Sequence, residues 1–180
     1  CGARSVGIYQ TNPASEVAWL LEHCGAALLF AEDQEQVDKV VEHDAELAGL
    51  RSVVVYDPRG LRHYDDERLV GWQDFLGDDP PEGWWAERLA AQDPDEPAMV
   101  VYTSGTTGTP KGALLSARNA VSGAQVMAPM LGLTRDDQVL SYLPLCHVAE
   151  KIFSLYLPLT VGCVVHFGES IETVRTDLRE

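Results

Sequence analysis

Basic side chains are scarce in this sequence: 13 lysines and arginines stand against 28 aspartates and glutamates, for a formal net charge of −15 over 180 residues. Such a surface repels polyphosphate backbones at long range, which argues against nucleic-acid binding and leaves any anionic ligand to a local site. The acidic excess itself reads as a solubility feature. Cysteine is also sparse, with four residues at positions 1, 24, 146 and 163 and no C-x-x-C or other metal-like spacing. They read as reduced thiols, and a cytoplasmic location is the expectation. No apolar run approaches the roughly 20 residues needed to span a bilayer, and no signal-peptide pattern is present. Low-complexity tracts are missing while 46% of residues are hydrophobic, so disorder is a poor reading. A chain of this length buries about 70% of its unfolded surface, enough for a real core.

The ends lack what complete chains usually carry. "CGARSVGIYQ" has no initiating Met and runs straight into a strand-like segment, and "ESIETVRTDLRE" stops inside a helical pattern without a Gly or Pro terminator. A piece of a longer protein is expected.

Between those ends, strands and helices alternate. Residues 5–9 read as a strand closed by the turn "TNP", residues 16–23 as a helix, "ALLFA" at 27–31 as a buried strand, and 34–43 as a helix with Val37, Val40 and Val41 on one face. "RSVVVY" at 51–56 is a third strand. The pattern weakens from Gly60 to Glu96, where only a short helix at 84–91 stands out. A second block follows: a strand at 98–102, an extended apolar run at 113–115, a helix capped by Ser116 and reaching about Met130, a strand at 139–143, a helix at 148–157 and a strand at 163–167. Strands alternating with helices indicate an α/β fold with mostly parallel sheets packed with helices.

The densest chemistry lies in "VVYTSGTTGTPKGALLS", residues 100–116. Thr103, Ser104, Thr106, Thr107 and Thr109 offer hydroxyls, Gly105, Gly108 and Gly112 permit backbone amides to turn inward, and Lys111 supplies a cation. Three or four charge-assisted hydrogen bonds of roughly 1.5–3 kcal/mol each suffice to hold a nucleotide polyphosphate on an acidic protein. The NTPase P-loop is excluded, because Pro110 stands five residues after Gly105 and Lys111 is followed by Gly112; no G-x-G-x-x-G occurs either. Since the residues on both sides read as extended, the loop joins two strands as a hairpin over residues 98–115.

A second constellation is "LPLCHVAE", which places His147 and Glu150 three residues apart where a strand end passes into a helix. That spacing predicts a shared helical face at the end of the sheet where α/β proteins bind ligands. Other features have bland readings. Trp84 and Trp85 point in different directions on a helix, and Asp65, Asp66 and Glu67 read as a solvated loop. Cys146 does not face its neighbour His147, so a Cys/His nucleophile is disfavoured, and Ser104 lacks the first glycine of a hydrolase elbow.

"YTSGTTGTPKG" resembles the phosphate-binding signature of the adenylate-forming (AMP-dependent synthetase/ligase) superfamily, and "LPLCHVAE" resembles the L-P-L-x-H-x-x-E segment of its long-chain fatty acyl-CoA synthetases. "GIYQTNPASEVAWLLEHCGAALLFAED" and "GCVVHFGESIETVRTDLRE" are similar to the flanking segments, so the resemblance covers nearly the whole chain. It implies part of the N-terminal, AMP-binding domain over residues 1–180, with the C-terminal domain outside it. It implies that Thr103, Ser104, Gly105, Thr106, Thr107, Gly108 and Lys111 surround the β- and γ-phosphates of ATP. His147 would orient the acyl carboxylate and Glu150 would hold the imidazole tautomer. Some long-chain members carry an aromatic gate one turn after the histidine, where this chain has Lys151. The implied activity activates a fatty acid with ATP and Mg²⁺, then transfers it to coenzyme A; peripheral membrane contact is compatible with such a substrate. The competing readings are an aryl- or amino-acid-activating enzyme, and a non-catalytic nucleotide-binding module.

Overall fold

The computed structural model describes residues 2–103 and 108–179. They divide into two compact units, one of Ile8–Glu82 and one of Cys1–Gly7 with Gly83–Glu180. The first element, β1 (Ser5–Val6), belongs to the second of these.

The Ile8–Glu82 unit runs α1 (Ala14–His23), β2 (Leu28–Ala31), α2 (Gln34–Val41), β3 (Ser52–Val55), β4 (Leu69–Gly71) and α3 (Trp72–Leu76). β2, β3 and β4 lie side by side in that order, all parallel, with Leu28 opposite Ser52 and Val53 opposite Leu69. Both helices lay apolar stripes on one face of the sheet: Val17, Ala18 and Leu21 from α1 and Val37 and Val40 from α2 close over Ala31, Val53 and Val55. Val41, expected on that stripe, is 42% exposed. At 100° per residue it falls at the rim of a face centred between Val37 and Val40. On the other side of the sheet α3 brings Trp72 and Phe75 edge-on to Phe30, at ring separations of 6.1 and 5.4 Å. β4 and α3 were hidden in the weak region of the sequence, because a strand of three residues and a helix of five carry too few periods to register.

Arg68 stitches this unit together before β4. Its guanidinium donates to Asp66 through Nε and Nη2, at 2.9 and 2.6 Å, and also reaches Asp44. The pairing holds the Asp66 carboxyl below the usual carboxylate range, with the Arg68 hydrogen bond as the main cause. A depressed carboxylate stabilises the fold above its ordinary pKa and loses that contribution as pH falls through the folded value. Urea unfolding followed by far-UV circular dichroism is therefore expected to show this unit weakening below about pH 4. Arg68→Met is expected to remove about 1–2 kcal/mol at neutral pH and to flatten that acid limb.

The other unit carries the motifs. After α4 (Trp84–Ala90), β5 (Pro97–Thr103) lies between β1 and β6 (Lys111–Ser116), parallel to the first and antiparallel to the second. Met99 and Val101 of β5 are buried, as alternation across a half-covered sheet requires. Ser116 caps α5 (Ala117–Leu131): its side chain accepts from Asn119 N–H at 3.1 Å while Asn119 Oδ1 accepts from Ser116 N–H at 3.0 Å, a reciprocal box. Gly132, at φ +67°, ends the helix. β7 (Gln138–Ser141) and β8 (Val164–Phe167) form a parallel pair. Between them one helical stretch runs as α6 (Val148–Glu150), a π-helical segment (Lys151–Tyr156) and α7 (Leu157–Val161), and α8 (Val174–Asp177) follows β8. Ala124 and Ala128 of α5 bury Leu157 of α7 completely, with Ile152, Tyr156 and Val161 around them.

β1 is shorter than the expected strand at 5–9, and just past its end Gly7 comes against the loop after β7. A Cβ placed on Gly7 would lie 2.8 Å from Cys146 Cα and 2.9 Å from its Cβ. The chain passes so close to the loop after β7 that only glycine fits. Gly7→Ala is expected to cost about 1–3 kcal/mol in thermal or urea unfolding. Gly49→Ala, at a glycine with nothing within 4 Å, is the control and is expected to stay within about 0.5 kcal/mol.

Candidate functional site

The hairpin of β5 and β6 brings Thr103 and Lys111, the two ends of its loop, together. Thr103 lies opposite Lys111 and Tyr102 opposite Gly112 in the antiparallel register. Both Thr103 and Lys111 are exposed, so a hydroxyl and an ammonium stand at the mouth of the same turn. Gly108, at φ +87°, takes the left-handed conformation that lets the chain reverse. Gly112 is needed for another reason. A Cβ there would meet Val100 Cγ1 at 2.9 Å and the Tyr102 ring at 3.4 Å, so the glycine lets that ring lie across the strand. Ser104, Gly105, Thr106 and Thr107, four of the seven expected phosphate contacts, lie outside the described residues.

His147 and Glu150 do not share a helical face as their spacing predicts. His147 is the N-cap of α6, with φ −69° and ψ 129°, and is exposed, whereas Glu150 is 3% exposed. An N-cap residue has extended backbone geometry, so the 100° step from one side chain to the next does not apply to it. The His147 carbonyl accepts from Lys151 N–H at 3.1 Å, and its own N–H donates to Pro144 C=O at 3.0 Å, which closes a tight turn just before the helix.

Glu150 points inward. Its Oε1 accepts from Ser141 Oγ at the end of β7 and from Ser154 Oγ in the π-helical segment, each at 2.6 Å. Ser141 and Ser154 are themselves buried, at 5% and 8% exposure. The widened helical turn sits just before Pro158, which has no N–H to give to the Ser154 carbonyl, so the α-helical ladder is interrupted there in any case. The two serines are residues that sequence reasoning missed, although Ser154 stands four residues after Glu150, the spacing at which helix neighbours meet.

Lys151 is half-buried next to the same loop. Burial pushes its ammonium below the usual lysine range, and the neighbouring Cys146 thiol pulls the other way. Tyr156 Oη also reaches Met99 Sδ of β5 at 3.6 Å. The helical stretch that begins at His147 is thus tied to the strand that ends at Thr103. Among the described residues no group of three or more His, Cys, Asp or Glu is gathered to hold a metal.

Comparison with known proteins places this geometry. Residues 1–179 match the family of AMP-binding enzymes. The long-chain-fatty-acid–CoA ligase ACSBG2 of Homo sapiens is 31% identical over 173 residues, covering 94% of this chain and 26% of that protein. The long-chain-fatty-acid–CoA ligase FadD15 of Mycobacterium bovis is 36% identical over 167 residues, covering 89% and 27%. The chain therefore spans about a quarter of the length of these relatives. Among solved structures, the anthranilate CoA ligase AuaEII in complex with anthranoyl-AMP superposes with a TM-score of 0.70 at 23% identity, over 98% of this chain and 32% of that one. ATP-bound MatB from Rhodopseudomonas palustris gives a TM-score of 0.70 at 19% identity, over 98% and 32%. At those identities the superpositions speak for the fold. The family match across residues 1–179 carries the assignment: the chain belongs to the AMP-binding enzymes, a family of adenylate-forming ligases.

Proposed function

We propose that this chain is the phosphate-gripping and acyl-orienting part of an AMP-forming ligase that activates a long-chain fatty acid. In the first step the acid's carboxylate oxygen attacks the α-phosphorus of ATP, and pyrophosphate leaves with the electrons of the broken P–O bond. In the second, the sulfur of coenzyme A attacks the acyl carbon, its proton passes to solvent, and AMP is expelled. Magnesium belongs to the nucleotide substrate, where it offsets polyphosphate charge that an acidic protein cannot.

The observation that carries this reading is the hairpin itself, with Thr103 and Lys111 paired across its mouth. The hydroxyls of Thr103, Ser104, Thr106 and Thr107, the backbone at Gly105 and Gly108, and Lys111 would hold the β- and γ-phosphates. They would favour the pyrophosphate as its charge grows on departure. His147, exposed on its turn at the start of α6, would stand beside the acyl carboxylate and orient it. A long-chain fatty acid, rather than an aryl or amino acid, is supported by the H-x-x-E segment and by the fatty-acid ligases among the relatives. A cytoplasmic location fits the reduced-thiol usage.

Exchange of labelled pyrophosphate into ATP tests the reading directly. The 180-residue chain alone is expected to give no fatty-acid-dependent exchange, and the longer gene product that carries it is expected to give it. In that gene product Lys111→Met is expected to lower kcat/KM for ATP by about 10- to 100-fold, the equivalent of one charge-assisted contact. Exchange that depends on an aryl or amino acid instead, or a Lys111→Met enzyme with unchanged use of ATP, would refute the proposal.

A further inference from the structure

We infer that Glu150 is a positioning residue that acts on the loop beneath His147 rather than on the imidazole, with Ser141 and Ser154 as its working partners. The inference rests on the reading of His147 as the residue beside the acyl carboxylate, and it adds how that histidine is held in place.

A carboxylate at 3% exposure is costly unless its oxygens are hydrogen-bonded. Glu150 meets that cost with two hydroxyl donors that come from different elements, the last residue of β7 and the middle of the π-helical segment. The Ser141–Glu150 bond spans nine positions of sequence and closes the base of the loop from Tyr142 to His147. Within that loop the backbone turn from Pro144 to His147 is short, and Cys146 is pressed against Gly7 on its other side. The loop is therefore fastened at its base by one carboxylate and at its flank by one close backbone approach. His147 rides between the two fastenings. Ser154 gives the carboxylate a second anchor on the helix, so strand end, loop and helix start move as one piece.

An imidazole partner and a loop clamp predict different responses. If Glu150 worked on the imidazole, removing the serine hydroxyls would leave His147 alone and neutralising the carboxylate would not. For a clamp the order reverses: Glu150→Gln keeps a carbonyl oxygen able to accept from both serines, whereas Ser141→Ala and Ser154→Ala each delete a donor.

Amide hydrogen exchange of the loop, measured by mass spectrometry on the longer gene product, reads the clamp without any need for activity. Ser141→Ala and Ser154→Ala are each expected to speed exchange at residues 142, 143 and 145–147 by about tenfold, the equivalent of leaving a buried acceptor short of one donor. Glu150→Gln is expected to stay within about threefold of the parent, and amides of β2–β4 are expected not to change in any variant. In the longer gene product the two serine variants are expected to lower kcat for the fatty acid with the KM for ATP unchanged. Unchanged loop exchange in both serine variants would overturn the clamp, as would a Glu150→Gln loop that exchanges faster than either. A gene product without acid-dependent pyrophosphate exchange would sink the proposed function, while the exchange rates would still decide whether the clamp exists. Single hydroxyl deletions keep the test open even where Glu150→Ala fails to fold.

Discussion

The motif-bearing unit depends on the contact of Ala124 and Ala128 with Leu157. Two alanines one helical turn apart present only methyl groups, so α5 lies close enough to α7 to bury Leu157 completely. α5 begins one residue after β6 ends, and α7 continues the helical stretch that His147 opens. One small apolar interface thus sets both the strand that carries Lys111 and the helix start that carries His147. The sulfur–hydroxyl contact of Met99 with Tyr156 ties the same helical stretch to β5, the strand that pairs with β6. Misplacement of either helix would be felt at both motifs, which is the cost of building a site on two elements that share a core.

Close approach, more than flexibility, explains where this unit places key glycines. Gly7 lets the end of β1 touch the backbone of Cys146, and Gly112 lets the Tyr102 ring cross β6. Neither has a positive φ. Only Gly108, among the described glycines of the loop, is there for its backbone conformation. The glycines of a phosphate-type loop therefore do separate jobs, and counting them together as turn formers hides the ones that set packing.

Much of the fold was legible because it is carried by period. The paired extended runs around the loop, the capped helix after Ser116 and the strand–helix alternation of residues 14–55 all repeat often enough to be read. β4 and α3 are too short for that. The π-helical segment has no sequence period of its own, and it shows only through Pro158, whose missing N–H interrupts the ladder. At the candidate site, residue identity was legible and orientation was not. His147 and Glu150 stand out as a pair in the sequence, yet a cap residue and a helical residue three positions on point to different surroundings, one exposed and one buried. Ser141 and Ser154 escaped notice because a serine carries no signal until something buried needs its hydroxyl.

The scarcity of positive charge constrains how a loop on this chain could hold phosphate. At physiological ionic strength charges are screened beyond about 8 Å, so a protein with a net charge of −15 can attract polyphosphate only at short range. Lys111 alone does not meet that need, for it stands exposed on β6, the edge of its sheet, where a lysine also serves to discourage pairing with another chain. The attraction has to come from many donors in direct contact: hydroxyls, which add no charge, and backbone N–H groups, which small residues leave accessible. A loop that binds phosphate on an acidic surface is therefore driven towards threonine, serine and glycine around a single cation. Residues 103–112 have that composition, which is the one the proposed grip on phosphate calls for on a chain of this charge.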